Sequence, residues 1–368
     1  MFIKQIEKES LTKLLQVVVG IVERKQMVPI LSNVLIEKAG EKLRFITTDL
    51  EIQIATHLGG VEQTGADTAI TVSAKKLQDI LKVSPEGSKV SLDIQDGKLL
   101  IKVNKSKFTL QTLPAQDFPR VLEQLDQATE VQIEQGQLKK LLGMAQYAMA
   151  QQDIRYYLNG MLLVIDKDQL KLIATDGHRL ALVSSKLKKE YSKCEVILPR
   201  KTINELIKLL NNTEEKIVFN LTENQARMTF SEVTLITKVI DGKFPDYERV
   251  IPKYTNHLTL NRVEILQTLQ RVAILSNEKF RGVRFVLTEK NLRVISNNNE
   301  QEEAQEDIET AYQGAALDVG FNVNYLMDGL NNITTPTVTL SFGDPNSSIL
   351  ITVPGNDEFK YIIMPMRI

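Results

Sequence analysis

One short segment of the sequence combines residue types that could perform acid–base chemistry. Residues 175–179, Thr-Asp-Gly-His-Arg, place a carboxylate and an imidazole two residues apart. Such a pair could act as general acid and general base. Asp176, however, ends an apolar run, as Asp49 does earlier and Asn298 later, and a small polar residue there is typical of a turn. The segment therefore supports two interpretations, a catalytic pair or a turn after a strand.

Other signals of catalysis are missing from the sequence. It has no G-x-x-x-x-G-K-[ST], G-x-G-x-x-G, G-x-S-x-G or H-E-x-x-H motif. His57, His178 and His257 are the only histidines and Cys194 is the only cysteine, so a conventional zinc site is hard to build. We expect Cys194 to be a half-buried thiol near a strand start rather than a nucleophile. No metal or cofactor is implied.

Composition predicts a soluble, cytoplasmic protein. The formal net charge is -1 and 43% of the residues are hydrophobic. No apolar run approaches the roughly 20 residues that a membrane span needs. The first ten residues lack the apolar core of a signal peptide. A single cysteine excludes an intrachain disulfide and suits a reducing compartment.

The chain repeats one pattern three times, at a spacing of about 120 residues, which is too long for a solenoid repeat. The clearest copies are Ile30 to Asp49, Tyr156 to Asp176 and Phe280 to Asn299. Each copy has two apolar runs separated by a polar turn and ends on a small polar pair, which predicts a pair of strands.

Two amphipathic stretches in each repeat predict helices, because their apolar residues recur at i, i+3 and i+4. The first stretches begin near Glu9, Gly136 and Asn261, and the second begin at Ser73, Pro199 and Asn322. Ser73 is a plausible N-cap, and Pro199 just ahead of a helix is an expected start signal. After each second helix the apolar period changes to two, which predicts hairpins.

Each repeat is large enough to bury its own core. We therefore predict an α+β protein of three similar domains, at residues 1–125, 126–252 and 253–368.

Charged residues form two opposite blocks. Lys98, Lys102, Lys105 and Lys107 lie on a predicted hairpin beside Phe108 and Leu110, whereas Glu300, Glu302, Glu303, Glu306, Asp307 and Glu309 form an acidic segment in the third repeat. Either block alone is most often a solvated face. Together they suggest a head-to-tail contact between the first and third domains of different copies. Such a contact closes into a ring or grows into a filament, and we favour the ring.

Most of the predicted helices carry lysines, although the net charge is near zero. Lys13, Lys75, Lys76, Lys82, Lys139, Lys140, Lys201 and Lys208, with Arg200 and Arg271, lie on or beside them. Lysine on a helix is usually only solvation. A concave face lined by these helices would suit loose, sequence-independent contact with phosphates.

The chain resembles the bacterial DNA polymerase III beta subunit family, the sliding clamps of replication. The resemblance covers essentially the whole sequence. Its strongest motifs are RYYLNGML from Arg155, ATDGHRLA from Ala174, FPDYERV from Phe244, ILSNEKFRGVR from Ile274 and the terminal MPMRI.

This resemblance implies a homodimer of three-domain chains, joined head to tail into a closed six-domain ring with helices lining the hole. Edge strands of the first and third domains would pair across the interface. The implied interface residues are Lys105, Lys107, Phe108, Leu110, Ile274, Leu275, Glu300, Glu302 and Glu303. The alternative for the four apolar residues, Phe108, Leu110, Ile274 and Leu275, is that they belong to the ordinary core of a domain.

The resemblance also implies sequence-independent contact with double-stranded DNA, held by topology rather than by tight binding. The implied DNA contacts are Arg24 or Lys25, Gln152, Tyr156, Tyr157, Arg200 and Lys201. No membrane partner is implied.

A further implied site is a cleft between the second and third domains. It would bind short linear motifs of the replicative polymerase, the clamp loader and repair polymerases. The implied residues are Arg155, Leu158, Thr175, Gly177, His178, Arg179, Leu180, Pro245, Arg249, Val250, Asn322, Tyr325, Asn346, Ser348, Ile362, Met364, Pro365, Met366 and Arg367. Methionines would give an adaptable apolar surface, although a C-terminal Met-Pro-Met is more often a frayed tail. Asn346 stands where an apolar residue is expected.

Three classes of function remain at this stage. A clamp predicts that His178→Ala weakens only peptide binding, whereas an enzyme built on Asp176 and His178 predicts loss of a pH-dependent activity. A scaffold that does not bind DNA predicts that reversing the charge of Arg200 or Lys201 leaves polymerase processivity unchanged.

Overall fold

The structure, a computed structural model, describes residues 3–23, 27–60, 67–122 and 126–367. These residues form six α-helices and 22 strands. Each of the three repeats contributes two helices in the same order among its strands, which confirms the predicted α+β repeat.

The first repeat begins with a strand and a helix. Its elements are β1 (Ile3–Glu7), α1 (Lys8–Val18), β2 (Asn33–Ala39), β3 (Lys42–Thr48), β4 (Ile52–Leu58), β5 (Thr68–Ser73), α2 (Ala74–Val83), β6 (Lys89–Gln95), β7 (Lys98–Val103) and β8 (Ser106–Leu113).

The second repeat follows the same order but has two long strands where the first has four. Its elements are β9 (Thr129–Glu134), α3 (Gln135–Ala145), β10 (Gly160–Thr175), β11 (Arg179–Pro199), α4 (Arg200–Leu209), β12 (Lys216–Leu221), β13 (Gln225–Phe230) and β14 (Val233–Lys238). The β10–β11 register shifts around Lys167, so a bulge separates the two halves of this hairpin. Cys194 is half-buried, as predicted, but lies near the end of β11 rather than near a strand start.

The third repeat restores the order of the first. Its elements are β15 (Asn256–Asn261), α5 (Arg262–Val272), β16 (Gly282–Thr288), β17 (Asn291–Asn297), β18 (Glu303–Glu309), β19 (Leu317–Asn322), α6 (Val323–Asn332), β20 (Thr337–Phe342), β21 (Ile349–Val353) and β22 (Asn356–Ile363).

Side-chain caps fix the start of several helices. The Ser73 hydroxyl accepts the backbone N–H of Lys76 at the start of α2, which confirms the predicted N-cap. Asn261 accepts two backbone N–H groups at the start of α5, and Asn322 does the same for α6. α4 begins at Arg200, directly after Pro199.

Strands of neighbouring repeats pair with each other in one recurring way. β4 of the first repeat pairs antiparallel with β14 of the second, from Ile52 opposite Thr237. β11 of the second repeat pairs with β22 of the third, from Arg179 opposite Ile363. β4 and the first part of β11 occupy equivalent places in their repeats, so the same type of joint occurs twice.

These joints explain why contacts divide the chain into two compact units rather than three. The first unit comprises 1–137 and 204–239, and the second comprises 138–203 and 240–368. The first unit contains a 12-stranded sheet that ends in β9. The second contains a six-stranded sheet, in the order β10-β11-β22-β21-β20-β15, and a four-stranded sheet, in the order β18-β17-β16-β19.

Each unit has its own apolar core. In the first unit, Leu35, Ile46 and Phe118 belong to one buried cluster. In the second, a cluster that includes Leu180, Leu182 and Ile362 joins the facing strands β11 and β22. None of the described helices is long and apolar enough to span a membrane.

Candidate functional site

The second unit contains a largely apolar cavity of about 440 Å³. Its floor includes Leu158, Leu180 and Ile362, all of which are buried. The turn after β10 and the chain segment after β22 form its walls. The full lining is Arg155, Tyr157, Leu158, Thr175, Gly177, His178, Arg179, Leu180, Pro245, Asp246, Tyr247, Val250, Asn346, Ser348, Ile362, Met364 and Pro365.

Asp176 builds the turn between β10 and β11. Its Oδ1 accepts the backbone N–H groups of His178, at 2.9 Å, and of Arg179, at 3.0 Å. Asp49 and Asn298 accept backbone N–H groups in the same way in the other repeats. A side-chain oxygen at this position therefore shapes the backbone in all three repeats, as the turn interpretation predicted.

Gly177 lets the turn approach a neighbouring arginine. Its φ is +90°, a conformation that L side chains rarely adopt. A Cβ at this position would lie 2.9 Å from Nη2 of Arg155. Any side chain here would strain the backbone and displace Arg155 from the cavity wall.

Arg155 is held in place by Asp153. Its Nε and Nη2 donate to the two carboxylate oxygens at 3.0 and 2.9 Å, and Nη2 also donates to the carbonyl of Asp176. These hydrogen bonds lower the pKa of Asp153 to about 2. The arginine is therefore fixed at the rim before any ligand arrives.

Arg179 ties the turn to the surrounding elements. Its side chain is 10% exposed, and it donates to Asp176, to Asp328 on α6 and to the carbonyl of Tyr147 after α3. The guanidinium also lies 4.3 Å from the centre of the Tyr325 ring. Burial opposes its charge, but Tyr361 and the two carboxylates raise its pKa above the usual value, so it remains a cation.

The C-terminal segment is part of the wall rather than a frayed tail. The backbone N–H of Met364 donates to the carbonyl of His178 at 2.8 Å, and that of Met366 donates to Gly320 at 2.9 Å. The first bond continues the pairing of β22 with β11 past the last residue of β22, and the second is an isolated bridge to β19. Met364 is 53% exposed and faces the cavity, where a thioether can adapt to different apolar groups.

Most of the residues expected in the peptide cleft line this cavity, but five do not. These are Arg249, Asn322, Tyr325, Met366 and Arg367. Arg249 forms an ion pair with Asp246. Asn322 caps α6, and Tyr325 stacks on Arg179. The cavity also includes Asp246 and Tyr247, which the sequence reasoning missed although FPDYERV contains both.

The residues expected to contact DNA have different environments. Arg24 and Lys25 lie outside the described residues. Gln152 and Tyr156 are exposed in the segment between α3 and β10. Tyr157, by contrast, lines the cavity. Arg200 donates to the carbonyl of Met149 at 2.7 Å, so it also supports the segment that carries Gln152. Lys201 is half-buried and already takes part in an interaction within the protein.

Most of the residues expected at the dimer interface lie on or beside two edge strands, β8 and β18, whereas Ile274 and Leu275 lie in a short 3-10 turn after α5. Lys107, Phe108 and Leu110 are on β8, which pairs with β7 on one side. On its other side β8 pairs with β5 only at Thr112 and Leu113, so residues 106–111 have one free edge among the described residues. Phe108 and Leu110 are half-buried, whereas Lys105 and Lys107 are exposed.

The acidic edge is partly neutralised within the chain. β18 lies at the edge of its sheet and pairs only with β17 in the described residues. Arg271 pairs with Glu306, and Arg293 with Asp307. Glu300, Glu302 and Glu303 are exposed and form no ion pair with described residues. In the short turn after α5, Ile274 is 77% exposed, whereas Leu275 is half-buried.

Three family models match the chain in succession. They describe the N-terminal domain of the DNA polymerase III beta subunit over residues 1–123, its central domain over 132–246 and its C-terminal domain over 248–367.

Similar proteins are matched along their full length. The chain is 45% identical over 365 residues to the beta sliding clamp of Pseudomonas putida, covering 99% of each. It is 38% identical over 364 residues to that of Escherichia coli, again covering 99% of each. The crystal structure of the DNA polymerase III subunit beta from Pseudomonas aeruginosa matches with a TM-score of 0.96 and 42% identity over 100% of both chains. A griselimycin-bound structure from the same organism matches with a TM-score of 0.95 and 42% identity over 99% of both chains.

Proposed function

Because the chain belongs to the bacterial DNA polymerase III beta subunit family, we propose that two copies close head to tail into a ring around duplex DNA. Its function is that of a replication processivity clamp, an accessory subunit rather than a catalytic one. Its fold is the three-domain clamp fold, and we place the domain boundaries near residues 125 and 252. We propose that it acts in the cytoplasm, where bacterial DNA is replicated.

The observation that carries the ring is the recurring joint between repeats. β4 pairs with β14, and β11 pairs with β22. The strand equivalent to β4 in the third repeat is β18, and the strand equivalent to β14 in the first repeat is β8. Both have free edges in the described chain. A third joint of the same type therefore requires another copy, and two copies can pair both of these edges with each other.

Charge supports this pairing. Lys98, Lys102, Lys105 and Lys107 form no ion pair with described residues, and neither do Glu300, Glu303 and Glu309. Opposite charges on two strands that pair steer their encounter and oppose like-with-like association. The exposed side chain of Ile274 and the half-buried Phe108 and Leu110 would supply apolar contact.

The two joints within the chain also predict the register of the proposed pairing between β8 and β18. Ile52 lies opposite Thr237, and Arg179 opposite Ile363. In the third repeat, Glu302 occupies the place of Ile52 and Arg179, directly after the turn that Asn298 forms. In the first repeat, Leu110 on β8 occupies the place of Thr237 on β14. We propose that Glu302 lies opposite Leu110, which also places Ala304 opposite Phe108 and Glu303 opposite Thr109.

The cavity is proposed to bind short linear motifs of polymerases, the clamp loader and repair polymerases. Burying one leucine or phenylalanine side chain contributes about 1.5–3 kcal/mol. Such anchors act together with hydrogen bonds at the cavity rim, and we expect a modest affinity on the order of micromolar, or about -8 kcal/mol. Partners bound this weakly can exchange on the ring.

DNA is proposed to be held by enclosure, with Gln152 and Tyr156 as exposed polar contacts and Arg24 or Lys25 as charged ones. Few phosphate contacts give a weak, salt-dependent interaction that permits sliding. Tight binding is unnecessary, since departure from a closed circle requires an open joint.

Retention on DNA tests this function. The protein would be loaded onto a nicked circular plasmid with a matched clamp loader and ATP, isolated by gel filtration, and the plasmid then cut once. Retention on the circle and release after cutting is the expected result. Equal retention on circular and linear DNA, with an active loader, would refute the ring.

A further inference from the structure

A second crevice lies in the second unit, apart from the peptide cavity. It has a volume of about 160 Å³ and lies between α3 and the segment that follows α6. Its lining is Lys139, Lys140, Gly143, Met144, Asn332, Ile333, Thr334, Thr335, Val353 and Asn356. None of these residues lines the peptide cavity.

The charged side chains of this lining are all cationic, which favours an anion over a cation. Two ammonium groups, two carboxamides and the hydroxyl of Thr334 can donate hydrogen bonds, and no carboxylate is among the lining residues. The hydroxyl of Thr335 already donates to the carbonyl of Thr337 at 2.9 Å. Lys140 is exposed and forms no ion pair with any described residue. The ammonium group is therefore available to a ligand.

One feature of the wall would ordinarily repel an anion. The C-terminal end of α6 carries backbone carbonyls and the negative end of the helix dipole. Here Arg262 offsets it, because its guanidinium donates to the carbonyls of Leu330 at 3.2 Å and Thr335 at 2.9 Å. Asn332 at this helix end also donates to a carbonyl, that of Asp328. The carbonyls of Asp328, Leu330 and Thr335 are therefore already hydrogen-bonded within the chain.

We propose that this crevice binds a single phosphoryl group, with Lys140 as the charged ligand and the side chains of Asn332 and Thr334 as hydrogen-bond donors. The volume accommodates one tetrahedral oxyanion rather than a nucleotide base. The phosphoryl group can belong to free phosphate or to a DNA backbone, and the chemistry of recognition is the same for both. Only the DNA source depends on the function proposed above.

Gly143 is a position at which a substitution can block the crevice. A Cβ at this position meets no atom within 4 Å, so a longer side chain can enter the space without a clash. Gly143→Glu would add a carboxylate inside the crevice, and Gly143→Gln would add the same bulk without the charge. Both replace a glycine inside a helix, so neither is expected to destabilise the fold.

The first experiment is a titration of the full-length protein with inorganic phosphate, followed by amide NMR shifts at constant ionic strength with chloride as the reference anion. Saturable shifts at Lys140, Gly143 and Thr334 are expected. Lys140→Gln should weaken binding about tenfold, as for the loss of one hydrogen bond to a charged group. Gly143→Glu should abolish it and Gly143→Gln should weaken it less.

Shifts that follow ionic strength without saturating, or equal binding by Gly143→Glu and Gly143→Gln, would overturn the proposal. A parallel measurement of duplex DNA affinity against salt distinguishes the two sources. If the phosphoryl group is that of DNA, Lys140→Gln should lower the salt slope by about 1. An unchanged slope with saturable phosphate binding assigns the crevice to free phosphate. Neither outcome depends on retention of the ring on circular DNA.

Discussion

At the scale of single residues, Arg179 lines the peptide cavity and also connects the elements around it. It joins the turn at Asp176, the helix that carries Asp328 and the segment at Tyr147. A planar guanidinium can make all of these contacts at once, whereas an ammonium cannot. The cavity therefore depends on geometry as well as charge.

Substitution of Arg179 tests this role. We expect Arg179→Lys to lower the free energy of unfolding by about 2 kcal/mol, because hydrogen bonds to charged groups are lost in a largely buried position. Affinity for a motif peptide should fall as well. Urea denaturation and fluorescence polarisation measure the two effects. Wild-type stability in the variant would show that the contacts contribute little.

The pKa of Asp153 gives a second test at this scale. Its folded pKa is lowered to about 2 from an ordinary value of 3.8, first by the Arg155 side chain and then by the Arg155 backbone N–H. The contribution of the Asp153–Arg155 interaction to folding stability is therefore fully present above pH 3.8 and is lost as pH falls through about 2. Carboxyl carbon NMR should show this titration midpoint.

Arg155→Ala is the matched variant, because it removes the side-chain donors but keeps the backbone N–H. The pKa of Asp153 should then rise towards 3.8 without reaching it. A midpoint that does not move would mean that the arginine is not held by this carboxylate in solution.

At the scale of elements, the free edges of β8 and β18 are the main feature. Exposed edges are usually protected, since unpaired backbone groups invite association with other chains. Here the edges carry opposite charges, which restricts their partners to each other. Within the chain, Arg271 forms an ion pair with Glu306 and Arg293 forms one with Asp307. The other glutamates of this edge remain available to pair with lysines of a second copy.

Disulfide trapping tests the proposed register. In a Cys194→Ser background, Thr109→Cys combined with Glu303→Cys should cross-link two copies, because directly opposite residues have Cα atoms about 4.5–5.5 Å apart. Thr109→Cys with Gln305→Cys is the shifted control and should cross-link poorly. Efficient cross-linking of the control alone would contradict the register.

At the scale of the whole molecule, the ring and the peptide cavity depend on different parts of the chain. Every residue that lines the cavity belongs to one compact unit. The proposed joint between copies uses both units. Loss of the joint should therefore leave peptide binding intact.

The double variant Ile274→Asp with Leu275→Asp checks this separation. We expect it to sediment as a monomer and to be lost from circular DNA, because charges replace an apolar contact. Its affinity for a motif peptide should change by no more than about twofold, as for distant sites. Ile274→Leu is the control. A parallel loss of peptide binding would mean that the cavity requires the dimer.

Local features of the fold were predictable from the sequence because short-range periodicity and capping determine them. The six helices begin within a residue or two of their predicted starts, and Ser73 caps α2 as expected. Asp49, Asp176 and Asn298 form turns for the same local reason. The repeat and its family followed from these patterns together with the motifs.

Only the tertiary structure decided which residues share one site. Periodicity does not reveal that Arg179 reaches three separate segments, that Tyr157 turns to the cavity, or that Arg271 neutralises Glu306. The long β11 likewise placed Cys194 away from a strand start. Such contacts join residues far apart in the chain, so they depend on how the strands pair. The sequence alone determined the elements and the family, whereas packing between distant elements determined the cavity, the free edges and the crevice between α3 and the segment after α6.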